Sequence, residues 1–268
     1  MQERFFILGC QRTGTTLMRL ILEAHPDVFC YDELKGYAAL QKGVPEDLPN
    51  VRLIGFKIPR WTEQLTHQVL FDEGLEGPCD NFYRGEQILF LQRDVRDTVA
   101  SMLKLKARES NWCEIWVPRI IEAKFAHNET FRARYSAELD VIESCSRRLI
   151  GLAALYWKYK TESFFVYRHE GFPVLAVSYE RLVADPRCAL ESVCAHLRIP
   201  FDENLLQHNE FKHSELFENG LTLGNTDPTK PIHSESLDQW KRFLTDEDID
   251  LVARVSGDLP ARVTALEE

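Results

Sequence analysis

Apolar residues in this chain cluster first at Phe5 to Gly9, a short run that stops at a glycine and gives way to Leu17, Met18, Leu20, Ile21 and Leu22 at helical spacing. The pattern predicts a strand, a tight loop and a helix in immediate succession. Further strands are predicted at Arg52 to Phe56, Gln87 to Leu91 and Pro173 to Val177, each but the second followed fairly closely by helical periodicity. Alternation of this kind implies a mainly parallel sheet covered by helices, because parallel neighbours need a crossover to return the chain to the same edge. Between about Asn111 and His169 aromatic and aliphatic residues recur at three- and four-residue steps, which predicts a helical insert or cap beside the sheet. Gly220 to Pro231, rich in Gly, Asn, Thr and Pro, reads as a long loop.

Composition narrows this picture. With 268 residues, 44% hydrophobic and 28% charged, the chain suits one α/β domain over residues 1–268. The longest apolar runs, Phe5 to Cys10 and Leu149 to Tyr156, are far shorter than the ~20 residues that a membrane-spanning helix needs. The first residues carry no basic leader pattern, so the expectation is a cytoplasmic protein without a transmembrane anchor. Seven cysteines at 10, 30, 79, 113, 145, 188 and 194 show neither a C-x-x-C pair nor a Cys/His cluster, and no metal is expected. A net charge of −10 speaks against nucleic acid or an anionic membrane as partner. A small anion remains compatible, since it needs only a local group of donors.

Gly9-Cys10-Gln11-Arg12-Thr13-Gly14-Thr15-Thr16 keeps the glycine spacing of a phosphate-binding loop and lies between a predicted strand and helix. Glycines let backbone N–H groups wrap an anion while the helix start adds a favourable dipole. Thr15 stands where nucleoside triphosphatases carry lysine, and the nearby cation is Arg12. A second strand-to-helix junction places Arg93 at the strand end and Ser101 eight positions on. Asp94 could alternatively hold magnesium, which together with the loop leaves a small-molecule kinase as one rival reading. A noncatalytic nucleotide-binding module is another. Arg96 and Asp97 read as a solvated first-turn pair.

Arg12-Thr13-Gly14-Thr15-Thr16 resembles the phosphosulfate loop of sulfotransferases that use 3′-phosphoadenosine-5′-phosphosulfate (PAPS), and the Arg93/Ser101 interval resembles their 3′-phosphate site. Glu23-Ala24-His25-Pro26-Asp27-Val28 through Asp32-Glu33 is similar to a segment of tyrosylprotein sulfotransferases. The resemblance implies a P-loop NTPase-like three-layer α/β/α fold and transfer of a sulfuryl group to a hydroxyl of a phenol, peptide tyrosine, carbohydrate or small metabolite, releasing adenosine 3′,5′-bisphosphate (PAP). It further implies Glu33 as general base, with Asp32 the weaker candidate, and Lys57 as the cation on the bridging oxygen. Arg12, Thr13, Gly14, Thr15, Thr16, Arg93, Ser101, Tyr179 and Lys230 would contact PAPS, with Tyr179 drawn from Ser178-Tyr179-Glu180 and Lys230 from a closing loop that begins near Asn225. Histidines and tryptophans carry no matching motif; His25 is expected to serve the turn before Pro26, and the others, His233 and Trp240 included, to be surface or core.

Overall fold

A computed structural model of the protein describes residues 3–44, 50–63, 85–107, 110–216, 220, 222 and 226–266. Asn225, His67 and Cys79 fall outside them. Five parallel strands form the sheet in the order β2 (Val28–Tyr31), β3 (Leu53–Lys57), β1 (Glu3–Gly9), β4 (Gln87–Gln92), β7 (Val174–Ser178). β5 (Lys106–Ala107) and β6 (Ser110–Asn111) make a separate antiparallel pair. The four predicted strands are present, and β2 is an addition. Its four residues, Val-Phe-Cys-Tyr, follow a His-Pro turn in which His25 Nδ1 accepts the Asp27 N–H at 3.1 Å and Nε2 lies 3.0 Å from the Pro200 carbonyl. So short an edge strand has no alternation long enough to announce it.

Side chains alternate across β1, as the two-residue pleat requires. Phe5 and Ile7 pack with Met18, Ile21 and Leu22 of α1 (Thr15–Glu23) and with α8 (Pro186–Leu197). Phe6 and Leu8 face Tyr37 and Leu40 of α2 (Glu33–Lys42) and Phe164 and Tyr167 of α6 (Arg148–His169). Helices on both faces give the three-layer α/β arrangement. The region from 111 to 169 supplies α4 (Trp112–His127), α5 (Glu129–Glu143) and α6. α6 lies against the sheet, whereas α4 and α5 pack with it, with α3 (Val95–Lys104) and with α10 (Asp246–Ser256) in a second core. No helix among the described residues is long and apolar enough to cross a membrane.

The chain turns outward from β1 in both directions, toward β3 and β2 on one side and β4 and β7 on the other. Parallel strands end on the same edge, so Gly9, Lys57, Gln92 and Ser178 terminate side by side. The point where strand order reverses leaves a crevice at that edge, the usual ligand position in open α/β sheets.

Candidate functional site

The loop after β1 is shaped by three residues at positive φ: Gly9 at 130°, Arg12 at 75° and Gly14 at 97°. A β-carbon on Gly9 would stand 2.4 Å from the Leu91 carbonyl oxygen, and one on Gly14 would stand 2.5 Å from the Tyr179 ring. Thr13, fully buried, closes the loop by donating from Oγ1 to the Cys10 carbonyl at 2.7 Å. Arg12 has no such freedom from strain; a left-handed non-glycine residue is maintained only where its surroundings over-determine it, often at a ligand site. α1 then begins with Gly14 at its cap, no side-chain oxygen on its first N–H groups and no acid in its first turn. By contrast α2, α3, α7 (Tyr179–Ala184), α8 and α10 are capped by Asp32, Asp94, Ser178, Asp185 and Thr245. The start of α1 therefore presents donors that the protein itself does not saturate with a side chain.

A cavity of about 370 Å³ opens in front of this helix start. Arg12, Gly14, Thr15 and Thr16 line one side, Arg93, Ser101 and Tyr179 another, and Lys230 stands at the exposed rim. Arg12 Nε donates to Ser101 Oγ at 3.1 Å, and Arg93 donates to the Arg12 carbonyl at 3.1 Å and to the Ser236 carbonyl. The Arg93 guanidinium lies 4.4 Å over the Tyr179 ring, while the Tyr179 hydroxyl pairs with Ser236 Oγ. Arg93 Nε is buried without a hydrogen-bond partner among the described residues. Burial and then the neighbouring Arg93 pull the Arg12 pKa down to about 10, the expected result of confining two cations in one cleft.

Glu33 and Lys57 meet on the far side of Thr16. Lys57, 2% exposed at the end of β3, donates to Thr16 Oγ1 at 3.4 Å and lies 3.7 Å from Glu33 Oε2. Burial lowers the lysine's pKa, against the opposing pull of Glu33. Glu33, 5% exposed, is the first residue of α2 and accepts the Arg60 N–H on Oε1 at 3.0 Å. Asp32 is occupied differently: its carboxylate receives the Leu34 and Lys35 N–H groups as the cap of α2. The geometry thus separates two adjacent acids, one spent on the helix and one facing a lysine beside the phosphate loop.

Two expectations for α3 divide in the same way. Asp94 caps the helix and is forked by the Arg96 guanidinium, so it does not line the cavity as a magnesium ligand would. Asp97 is not a solvated surface acid. It is 3% exposed and accepts the Asp238 and Trp240 N–H groups at 2.9 and 3.1 Å, tying the segment before α9 (Trp240–Phe243) to α3. Trp240 is half-buried against the second core, with the Arg96 guanidinium 4.2 Å over its ring. His233, Ser236, Gln239 and Lys104 also line the cavity and were not anticipated. Lys104 sits one turn beyond Ser101 on α3 and could have been found from that spacing; the other three follow the closing loop and have no sequence signal. Among the described residues no group of His, Cys, Asp and Glu could hold a metal ion.

The sequence model described as Sulfotransferase family matches residues 4–74. Protein-tyrosine sulfotransferase 2 of Gallus gallus is 25% identical over 94% of this chain and 66% of its own, so the chain spans just under two thirds of that relative. Among solved structures, the sulfotransferase domain from the curacin biosynthetic pathway superposes with a TM-score of 0.60 at 16% identity, covering 96% of this chain and 98% of that one. Mouse sulfotransferase SULT7A1 complexed with PAP gives a TM-score of 0.52 at 13% identity, covering 100% and 88%. At these identities the two structures speak to the fold.

Proposed function

We propose that this chain, a member of the sulfotransferase family, takes its sulfuryl group from PAPS and delivers it to an acceptor hydroxyl. The observation that carries the donor assignment is the pair of guanidiniums, Arg12 and Arg93, facing one cavity at the side-chain-free start of α1. PAPS carries two anionic groups, and the cavity presents two guanidiniums beside the donors at the start of α1. In this reading Arg12 and the N–H groups of Gly14, Thr15 and Thr16 hold the 5′-phosphosulfate, with Thr13, buried and bonded to the Cys10 carbonyl, shaping the loop from behind rather than touching the ligand; Arg93 and Ser101 hold the 3′-phosphate, Tyr179 supports Arg93 and the nucleotide, and Lys230 adds charge from the rim. Bound PAPS supplies an activated sulfuryl group that leaves PAP behind.

The protein's own contribution is positioning, charge and one proton. Lys57, beside Thr16, is placed to stabilise negative charge developing on the oxygen that leaves sulfur, where burial makes the interaction stronger than in water. Glu33 Oε2 faces the same lysine and is the candidate to receive the acceptor's hydroxyl proton, since a hydroxyl is a poor nucleophile until that proton is leaving. A phenol is the first acceptor to assay, because the Gallus gallus relative is named for protein tyrosine; carbohydrate and small-metabolite hydroxyls belong in the same screen. A cytoplasmic location goes with this reading.

Calorimetric titration with PAP, 5′-AMP and ATP plus magnesium tests the donor site. PAP is expected to bind more tightly than either comparison by at least about tenfold, the value of one charge-assisted phosphate contact. Preference for ATP with magnesium would overturn the proposal in favour of a kinase.

A further inference from the structure

We infer that Lys160 is a positioning residue for Glu33, acting through the turn at Pro59–Trp61; this rests on Glu33 being the proton acceptor proposed above. Lys160 comes from the middle of α6, is 1% exposed, and uses its ammonium on three acceptors at once: the Pro59 carbonyl at 3.2 Å, the Arg60 carbonyl at 2.5 Å and Glu63 Oε2 at 2.7 Å. On the other side of that turn the Arg60 N–H reaches Glu33 Oε1 at 3.0 Å. Thr62 fastens the same turn to the phosphate loop, accepting the Gly9 N–H at 3.1 Å and donating to the Gly9 carbonyl at 2.8 Å. Tyr167, also on α6, donates to the Thr62 carbonyl at 2.5 Å. Five consecutive residues therefore touch the candidate base, the anion loop and the helix behind them.

Neutralising Glu63 does not explain Lys160, because Lys124 already lies 3.0 Å from Glu63 Oε1. Burial alone would raise the Glu63 pKa; Lys160 and Lys124 outweigh it and hold the acid at about 2. What distinguishes the two lysines is the pair of backbone carbonyls, which Lys160 holds. Burying a cation is costly, and such a group is a poor source of stability compared with apolar packing. Fixing two carbonyls of a turn whose next N–H group orients a carboxylate is a function that apolar packing cannot supply.

The test compares Lys160→Met and Lys124→Met in the full chain, with Lys160→Gln as a milder variant that retains an N–H donor for the carbonyls. Three quantities are read: hydrogen exchange of the Arg60 amide, PAP affinity by calorimetry, and turnover of labelled PAPS with 4-nitrophenol. Lys160→Met should speed Arg60 exchange by at least about tenfold and lower kcat by about 10–100-fold, with PAP affinity within about threefold. Lys160→Gln should fall between it and the parent, and Lys124→Met should leave exchange and kcat near parental values. Parental Arg60 exchange in Lys160→Met, or equal losses in the Lys124 variant, would overturn the inference. Glu33→Gln run alongside separates the two levels: retained turnover there removes the base assignment, while Arg60 exchange still reports whether Lys160 holds the turn. Should 4-nitrophenol not be accepted, the exchange comparison decides alone.

Discussion

Arg93 illustrates how much a single side chain does in this site. Its guanidinium bridges the phosphate loop through the Arg12 carbonyl and the closing segment through the Ser236 carbonyl, and rests on Tyr179. Its Nε is buried without a hydrogen-bond partner among the described residues. Arg93→Ala should weaken PAP binding by about 1.5–3 kcal/mol, the range for hydrogen bonds to a charged group, and should cost 5′-AMP much less. Calorimetry on both ligands checks this, and equal losses would contradict a 3′-phosphate role. The eight-residue interval between Arg93 and Ser101 was legible in the chain, but not that Ser101 is engaged by Arg12. Nor could the chain distinguish Asp32 from Glu33, which needed the cap geometry of α2.

At the level of elements, the phosphate loop and α1 are the most readable part of the protein. Their constraints are local, with a strand that ends, glycines where φ is positive and a helix whose cap, Gly14, has no side chain to place on its first N–H groups. Gly14 is doubly constrained, by φ of 97° and by the Tyr179 ring behind it. Gly14→Ala should destabilise the fold by about 1–3 kcal/mol from backbone strain and crowding, and should impair PAP binding more than any exposed helix substitution because Tyr179 carries Arg93. Thermal unfolding with and without PAP reads both effects. The attachment of α9 was not readable. Asp97 looks like any acid in a first helical turn until the backbone of Asp238 and Trp240 arrives, more than a hundred residues later, to use it.

Across the whole molecule, a chain of net charge −10 concentrates cations at one sheet edge, so the global balance says little about the local field. Acid sensitivity should arise elsewhere. His208 is wholly buried, its ring nitrogens have no hydrogen-bond partner among the described residues, and burial, then His213, push its pKa from 6.5 to about 4. The unfolded chain binds this proton near pH 6.5 and the folded protein only near pH 4, so stability is complete above 6.5 and declines as pH falls between the two values. The loss should total about 3 kcal/mol, and His208→Leu should flatten that part of the pH–stability curve measured by urea unfolding. An unchanged slope would show that His208 is not the responsible group.

Short apolar runs and helical periodicity marked four of the five parallel strands and the main helices, because these depend on residues a few positions apart. The phosphate loop was visible for the same reason, its chemistry lying within eight consecutive residues. The strand order β2-β3-β1-β4-β7 belongs to the tertiary structure, as does every contact that crosses the site: Arg12 with Ser101, Arg93 with Ser236, Glu33 with Arg60, Lys160 with the turn at 59–60. These partners are separated by 27 to 143 residues. Hydrogen bonds and ion pairs act over a few ångströms and take no account of sequence distance, so only the packing of helices on both faces of the sheet could decide which charged groups meet.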